Sequence, residues 1–442
     1  MKMILKGAKV IDPASRINDV RDVLVIDGRI SAIEKRINIS GAFEIDLDGM
    51  VLTPGLIDMH VHFREPGFEY KEDIRSGSMS AVAGGFTTVA CMPNTNPPID
   101  NAVMIEFIKT RAREAGLARV LPIGCASKGL EGIEITEMGD MAEAGAVAFS
   151  DDGKPIADSS LMRKAMMYAS MFDRVVIDHC EVPTLFEGGQ INEGYISTLL
   201  GLAGIPRSSE EIMVARNILL SKETGAPVHI AHVSTRGSVE LIRRAKAEGV
   251  KITCEVTPHH LILTDEDVRG YDTNKKMNPP LRTREDINSL LGGLKDGTID
   301  VIATDHAPHS EDEKDIEFDK AAFGIVGLET ALGLVMTHIA EKGLLTVEEV
   351  ISKMTSGPAK VLRFDAGSLK IGMPADITII DPNREWAVDK NMFFSKGKNT
   401  PFHGWKLKGK AVLTFVEGNV VYAEGGFEQL LTRQQGIVSN VG

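Results

Sequence analysis

The sequence predicts an α/β fold, a (β/α)8 TIM barrel with a composite flanking β-sandwich domain from both termini. Eight short apolar runs rich in β-branched residues alternate with helix-like or loop segments through the middle of the chain. Eight such units over roughly 290 residues match this barrel, whose usual size of about 250 residues allows insertions. A doubly wound sheet is the alternative, but no G-x-G-x-x-G motif follows any of the runs.

Composition and charge narrow the class of protein. The chain has 442 residues, of which 43% are hydrophobic and 25% are charged, as in ordinary globular proteins. Its net charge of −13 disfavours nucleic acid as a partner, because phosphate binding needs a basic surface. The four cysteines form no C-x-x-C pair, and the N-terminus is unlike a signal peptide, so we expect a cytoplasmic protein. The longest uncharged stretch, 76–99, contains turn residues, so no membrane span is expected.

The elements follow in order along the chain. Residues 3–53 are predicted to form strands, with a hairpin turn at Asp27-Gly28. The barrel strands are expected within 56–62, 87–93, 119–125, 146–152, 174–180, 227–233, 251–257 and 300–306. The C-terminal part repeats the strand pattern, with a turn at Gly418-Asn419. Because small sheets need a second layer, we expect the two ends to pack together. The predicted units are 1–53 and 365–442 for the β domain, and 54–364 for the barrel.

One barrel helix is predicted residue by residue before the strand at 227–233. Ser208 and Glu211 have the spacing of a capping box at its start, and Gly225 follows its last turn. Ile212, Ala215 and Leu219 recur at helical spacing and predict its apolar face.

Histidines and carboxylates recur at the ends of the predicted strands. His60 and His62 lie two residues apart in the first strand, so both point to one face. His229 is three residues from His232, so in a regular strand the two side chains point to opposite faces, and His229 is predicted to face the helices. Because the carboxyl ends of barrel strands share one rim, the inward-facing groups are expected to meet there. Four further strands end in such a group: Asp152, His179, His232 and Asp305.

These nitrogen and oxygen donors, without a thiolate, suit zinc. Their number exceeds the three protein ligands typical of one catalytic zinc, so two zinc ions sharing a carboxylate are expected, with one ion as the alternative. Such ions lower the pKa of bound water and polarise a carbonyl. Asp305 is expected to be both a ligand and a proton shuttle.

The motifs around these residues resemble those of the class I dihydroorotases in the amidohydrolase superfamily. They are HFREPG at 62–67, CMPNTNP at 91–97, FSDDGKP at 149–155, MNPPLR at 277–282 and TDHAPHS at 304–310. The resemblance extends over essentially the whole chain. It implies reversible cyclisation of N-carbamoyl-L-aspartate to L-dihydroorotate, the third step of de novo pyrimidine (UMP) biosynthesis.

The resemblance also implies residue roles. His60 and His62 would bind one zinc, His179 and His232 the other, with Asp152 as the bridge and Asp305 as the catalytic carboxylate. Four residues would contact the substrate or line its pocket: Arg64, Asn94, Asn278 and His309. A guanidinium suits this task, because it can hold a carboxylate through two charge-assisted hydrogen bonds.

The sequence leaves several alternatives open. Many relatives bridge their metals with a carbamylated lysine, and Lys154 lies two residues past Asp152. The resemblance puts aspartate at the bridge instead, and a loop position is favoured for Lys154. The activity of a hydantoinase, dihydropyrimidinase or allantoinase would use the same barrel, and a catalytically silent scaffold subunit is a further alternative. A homodimer and an association with aspartate carbamoyltransferase are also open. His259 and His260 receive no direct catalytic role.

Overall fold

The computed structural model describes residues 2–431, so positions 432–442 of the predicted C-terminal unit lie outside the described residues. The N-terminal strands are β1 (Lys2–Asp12), β2 (Ile17–Ile26), β3 (Arg29–Glu34), β4 (Phe43–Asp46) and β5 (Val51–Pro54). The predicted hairpin between β2 and β3 is confirmed. Its turn residues Asp27 and Gly28 have φ values of 47° and 77°, a left-handed pair that matches the twist of the strands.

The eight predicted barrel runs each contain one strand. The next elements are β6 (Leu56–Val61), β7 (Phe86–Cys91), β8 (Arg119–Pro122), β9 (Phe149–Ser150), β10 (Val176–Asp178), β11 (Ile191–Asn192), β12 (Gly204–Ile205), β13 (Val228–Ile230), β14 (Ile252–Val256) and β15 (Val301–Ile302). β11 and β12 form a separate two-stranded insert.

The barrel closes in the order of the chain. Two parallel sheets, β6-β7-β8 and β9-β10-β13-β14-β15, make up its wall. Single parallel bridges join them at both seams, between Gly124 and Phe149 and between Val61 and His306. The eight strands therefore form one ring, as the sequence predicts. Apolar side chains fill its interior, among them Met59, Ala90, Ile123, Ile177 and Val301.

Helices alternate with the strands, and the longer ones cover the outer face of the ring. They are α1 (Ile74–Ala83), α2 (Ala102–Ala115), α3 (Met138–Ala144), α4 (Ser159–Met171), α5 (Pro183–Phe186), α6 (Tyr195–Leu200), α7 (Arg207–Thr224), α8 (Arg236–Ala247), α9 (Pro258–Ile262), α10 (Arg284–Asp296), α11 (Glu311–Lys314), α12 (Ala331–Val335), α13 (Val347–Lys353) and α14 (Ser356–Leu362). Several begin with a side-chain cap, such as Asp73, which accepts from the Ser76 backbone N–H at 2.7 Å. No helix within residues 2–431 is long and apolar enough to cross a membrane.

The helix predicted around 208–224 is confirmed as α7, but its predicted apolar face is wrong. Ile212 and Leu219 are 52% and 67% exposed, whereas Met213 and Val214 are buried. The Ser208–Glu211 capping box does not form, because the helix begins at Arg207 after Pro206. The buried face also carries a polar residue, Asn217, whose amide donates to Asp178 of β10 at 2.5 Å. Hydrophobic spacing alone therefore did not identify the inward side.

The C-terminal strands return to the N-terminal ones. They are β16 (Ile377–Ala387), β17 (Lys406–Val416) and β18 (Asn419–Ala423), and β16 pairs antiparallel with β5. This pairing creates one eight-stranded sheet from both ends of the chain, with its own core of Leu5, Val23, Leu52, Ile379 and Phe415. The composite flanking β domain is confirmed. The β17–β18 turn consists of Glu417 and Gly418, one residue earlier than expected. The boundaries after residues 53 and 364 stay predictions.

Candidate metal centre

An irregularity in β6 brings His60 to the barrel rim. Asp58 pairs with Val89 and Val61 pairs with Cys91, so two residues, Met59 and His60, stand opposite one residue of β7. Such a bulge re-aims a side chain. Met59 packs in the barrel interior, and His60 turns toward carboxylates at the same end of the barrel.

The first histidine pair meets two aspartates. His60 Nε2 lies 3.5 Å from Asp152 Oδ1 and 3.5 Å from Asp305 Oδ1. His62 Nε2 lies 3.1 Å from Asp305 Oδ1 and 3.5 Å from Asp152 Oδ2. All four side chains are buried. They supply convergent nitrogen and oxygen atoms, the arrangement that a divalent cation needs.

The second histidine pair lies on the other side of Asp152. His179 Nδ1 is 2.8 Å from His232 Nε2, and these atoms are 3.7 and 3.9 Å from Asp152 Oδ1. Asp152 therefore faces both pairs. The structure thus brings together all six predicted ligands. Lys154, by contrast, is exposed to solvent two residues further along the loop.

His232 reaches the rim by a different route from the predicted one. Val228 and Ile230 pack in the outer cluster with Ile242 of α8, so simple alternation would turn His232 outward. Its backbone instead adopts a positive φ of 27°, an uncommon conformation for a residue with a side chain. His229 is the residue of β13 that points inward, and its predicted packing against the helices is wrong.

The polar atoms at the centre fit a metal. His60 Nε2 and Asp152 Oδ1 are buried without a hydrogen-bond partner among the residues that the structure describes. An unpaired buried polar atom costs about 1–3 kcal/mol. A cation bound between these two atoms would satisfy both. The donor set is oxygen and nitrogen alone, which agrees with zinc or a similar divalent ion.

Electrostatics keep the carboxylates ionised. Burial alone would raise the pKa of Asp152, but His60, His232 and His62 hold it well below its usual range. The pKa of Asp305 is lowered in the same way, because charges and hydrogen bonds from His60 and His62 outweigh burial. Conversely, burial opposes protonation of His60, but the charges of Glu255 and Asp152 raise its pKa well above the ordinary value. The site therefore attracts positive charge.

Arg64 is the cation of the predicted substrate pocket. It has a positive φ of 60°, its Nε donates to the Pro308 carbonyl at 3.2 Å, and its Nη2 lies 3.4 Å from His309 Nε2. Burial lowers its pKa, although the negative charges of Asp305 and Asp152 act against this shift. No carboxylate within residues 2–431 forms an ion pair with Arg64, whereas Arg216 pairs with Asp178.

The two predicted pocket asparagines hold ligand histidines. Asn94 Oδ1 lies 2.9 Å from His62 Nδ1, so it accepts from that ring nitrogen and leaves Nε2 facing the aspartates. Asn278 Nδ2 lies 3.1 Å from His179 Nε2 and 2.8 Å from Glu181 Oε2. All ten predicted site residues thus lie at or beside the rim.

Sequence reasoning missed two acidic residues, Glu181 and Glu255. Glu255 Oε1 lies 2.6 Å from His60 Nδ1. The available signal was an acidic residue inside the apolar run KITCEVT, because a charge in a buried strand needs a partner. Beyond this strand, His260 bonds Thr257 and the Pro279 carbonyl, whereas His259 Nε2 is buried without a partner in the described part of the chain.

Family models match two overlapping parts of the chain. A model described as "Dihydro-orotase-like" matches residues 49–238, and one for the amidohydrolase family matches residues 223–422.

Curated relatives match nearly the whole chain. The dihydroorotase of Acetivibrio thermocellus is 54% identical, over 96% of this chain and 99% of that protein. The dihydroorotase of Pelotomaculum thermopropionicum is 56% identical, over 95% of this chain and 98% of that protein.

Solved structures agree in fold. The L-hydantoinase (dihydropyrimidinase) from Arthrobacter aurescens has a TM-score of 0.87 and 29% identity, with 96% of both chains covered. The dihydropyrimidinase from Brevibacillus agri NCHU1002 has a TM-score of 0.84 and 20% identity, with 96% of this chain and 95% of that chain covered. At 20% identity, the second likeness concerns the fold alone.

Proposed function

The chain belongs to the dihydroorotase family of amidohydrolases, and from this premise we propose that it interconverts N-carbamoyl-L-aspartate and L-dihydroorotate. This cyclisation, read in reverse, is hydrolysis of a cyclic amide, and it is the third step of de novo pyrimidine biosynthesis.

The unpaired guanidinium of Arg64 is the observation that carries the choice of substrate. Arg64 is partly buried, and a cation withdrawn from water is stable only when an anion or several acceptors satisfy it; here no carboxylate does so in residues 2–431. Dihydroorotate and carbamoyl-aspartate both carry a carboxylate that the reaction leaves unchanged. The neutral rings of hydantoin and dihydrouracil lack that group. Arg64 therefore favours dihydroorotase activity over hydantoinase, dihydropyrimidinase or allantoinase activity.

The proposed cofactor is zinc, with two ions for each chain and one ion as the alternative. His60 and His62 would hold one ion, His179 and His232 would hold the other, and Asp152 would contact both. When bound, zinc supplies Lewis acidity and lowers the pKa of water toward neutrality. The orphaned His60 Nε2 and Asp152 Oδ1 support this assignment.

Asp305 is proposed to move the proton. Its carboxylate is ionised at neutral pH and lies 3.1 Å from His62 Nε2, so it can accept a proton near the rim. In ring opening it would take the proton of the attacking water and pass it to the departing ring nitrogen. In cyclisation it would take the proton from the attacking ureido nitrogen and pass it to the departing carboxyl oxygen, which leaves as water. Arg64 would hold the carboxylate meanwhile, which fixes the amide bond relative to Asp305.

A substrate panel tests the proposal. The zinc-loaded chain is assayed with L-dihydroorotate, dihydrouracil, hydantoin and allantoin, and zinc content is measured on the same sample. We expect kcat/KM to be highest for dihydroorotate. Equal or greater turnover of a neutral ring would contradict the assignment, and a folded, zinc-loaded chain inactive on all four would favour the scaffold alternative.

The proposal leaves the assembly open between a single chain and a homodimer. Light scattering of the purified protein decides between them. Co-purification with aspartate carbamoyltransferase, followed by an assay of the isolated chain, tests whether that partner binds and whether activity needs it. The expected setting of this chemistry is the cytoplasm.

A further inference from the structure

Below the rim, the wall of the barrel holds a completely buried acidic side chain. Glu255 of β14 is fully buried, and its two carboxylate oxygens contact histidines on different sides. Oε1 lies 2.6 Å from His60 Nδ1, and Oε2 lies 3.3 Å from His229 Nε2. A buried carboxylate is costly unless such partners satisfy it, so its place in the wall of the barrel calls for a reason.

The contact with His60 determines which ring nitrogen faces the metal centre. A neutral imidazole carries its proton on one nitrogen and a lone pair on the other. Because a carboxylate can only accept, His60 Nδ1 donates to Glu255, and in the neutral ring that binds a metal the lone pair resides on Nε2. That Nε2 is the buried atom without a partner, 3.5 Å from both Asp152 and Asp305. The tautomer set by Glu255 is the one that can bind a cation.

His229 extends the contact to the neighbouring strand. Its Nδ1 lies 2.8 Å from Thr253 Oγ1, and β13 pairs with β14 so that His229 stands opposite Thr253. His229 therefore donates from Nε2 to Glu255 Oε2 while Nδ1 accepts from the threonine hydroxyl. Both histidine and threonine are thereby satisfied within the barrel wall. The arrangement fixes Glu255 in the rotamer that reaches His60.

We propose that Glu255 is a positioning residue of the metal centre, which orients His60 and sets its tautomer, and that His229 and Thr253 hold Glu255 in place. The inference rests on the proposed metal centre but not on the identity of the substrate. The contrast with His62 is informative, because its Nδ1 is held by the neutral amide of Asn94. Of these two histidines, His60 has a buried carboxylate hydrogen-bonded to its Nδ1. That negative charge also makes His60 Nε2 a stronger metal ligand.

The test measures zinc affinity directly on the full chain, by competition with a chromophoric chelator and without substrate. Glu255→Gln keeps the shape but removes the charge, and we expect about 10–100-fold weaker zinc binding. Glu255→Leu removes the acceptor as well and should bind more weakly still. The matched control is Asp22→Asn in the flanking sheet, a buried carboxylate that accepts from the Gly7 and Ile37 backbone. It should lower thermal stability and leave zinc affinity unchanged.

A second set of variants guards against loss of folding at Glu255. His229→Gln retains a donor toward Glu255 and should keep zinc affinity near that of the wild type. His229→Leu removes the donor and should weaken zinc binding. The absorption spectrum of the cobalt(II)-loaded chain gives an independent readout, and we expect it to change in Glu255→Gln and His229→Leu but not in Asp22→Asn.

Wild-type zinc affinity and an unchanged cobalt spectrum in folded Glu255→Gln would overturn the inference. So would equal losses in His229→Gln and His229→Leu. If the wild-type chain binds no zinc, both this inference and the proposed metal centre fail. If it binds zinc and loses affinity as expected but does not turn over dihydroorotate, only the proposed function fails.

Discussion

Replacing Arg64 by methionine removes the guanidinium and keeps a side chain of similar length. In the wild type, Nε is occupied by the Pro308 carbonyl at 3.2 Å, which leaves the Nη side of the guanidinium for a substrate carboxylate. Two charge-assisted hydrogen bonds from that side contribute about 1.5–3 kcal/mol each. A net loss of about 3 kcal/mol corresponds to a factor of ~10² in substrate affinity.

The assay compares KM and kcat for dihydroorotate with those for a neutral ring, in the wild type and in Arg64→Met. We expect KM for dihydroorotate to rise by ~10², with a smaller change in kcat and little change for the neutral ring. The Pro308 carbonyl also loses its donor, so thermal stability should fall slightly, by about 1 kcal/mol.

The control is Arg119→Met. Arg119 lies at the start of β8, away from the rim, and pairs with Asp376 and Glu417 at 2.8 Å each. Its replacement should leave KM and kcat unchanged for both dihydroorotate and the neutral ring. An unchanged KM in Arg64→Met, or an equal loss for the charged and the neutral ring, would refute the role given to Arg64.

Three further outcomes are expected. Asp305→Asn should retain zinc but lose turnover by about 10²–10⁴-fold, because proton transfer is lost. Measurements of kcat and metal content on the same sample check this, and a wild-type rate would contradict proton transfer by Asp305. Zinc affinity should fall as the pH is lowered from 9 to 6. Burial opposes protonation of metal-free His179, but Glu181 and Asp152 outweigh it and raise the pKa of His179 from 6.5 to about 9. Zinc must therefore displace a proton from this residue. By the same shift, the metal-free chain should lose stability as the pH rises from 6.5 through 9, and flat pH profiles of affinity and stability would contradict this. Phe86→Ala, at a fully buried core position, should lower the free energy of unfolding by about 3–5 kcal/mol, and an unchanged urea midpoint would show that Phe86 is not tightly packed.

The barrel and most of its rim were predictable from the sequence. Parallel strands that alternate with helices close in chain order, so residues ending separate strands must share one edge. That rule alone places His179 and Asp305 at the same rim although they are far apart in the chain. The sequence predicted only that the two ends of the chain pack together. It did not predict that β5 pairs with β16, because no local pattern determines that Leu52 stands opposite Ile379.

Local departures from regular strand geometry explain the side-chain directions that simple in-and-out alternation along a strand could not predict. The bulge in β6 and the positive φ of His232 both re-aim a ligand, and neither leaves a clear mark in the sequence. His232 was therefore predicted at the rim for the wrong reason, and His229 was assigned to the wrong side. Glu255 was missed because its role depends on a contact with His60 across the barrel, 195 positions away in the chain.

The most direct test of the account is a zinc titration of the chelator-stripped chain, with dihydroorotate turnover followed in both directions at each step. We expect the metal-free chain to be inactive, and ring opening and ring closure to return together as zinc fills the site. Full activity on dihydroorotate in a folded chain that holds no metal would contradict it.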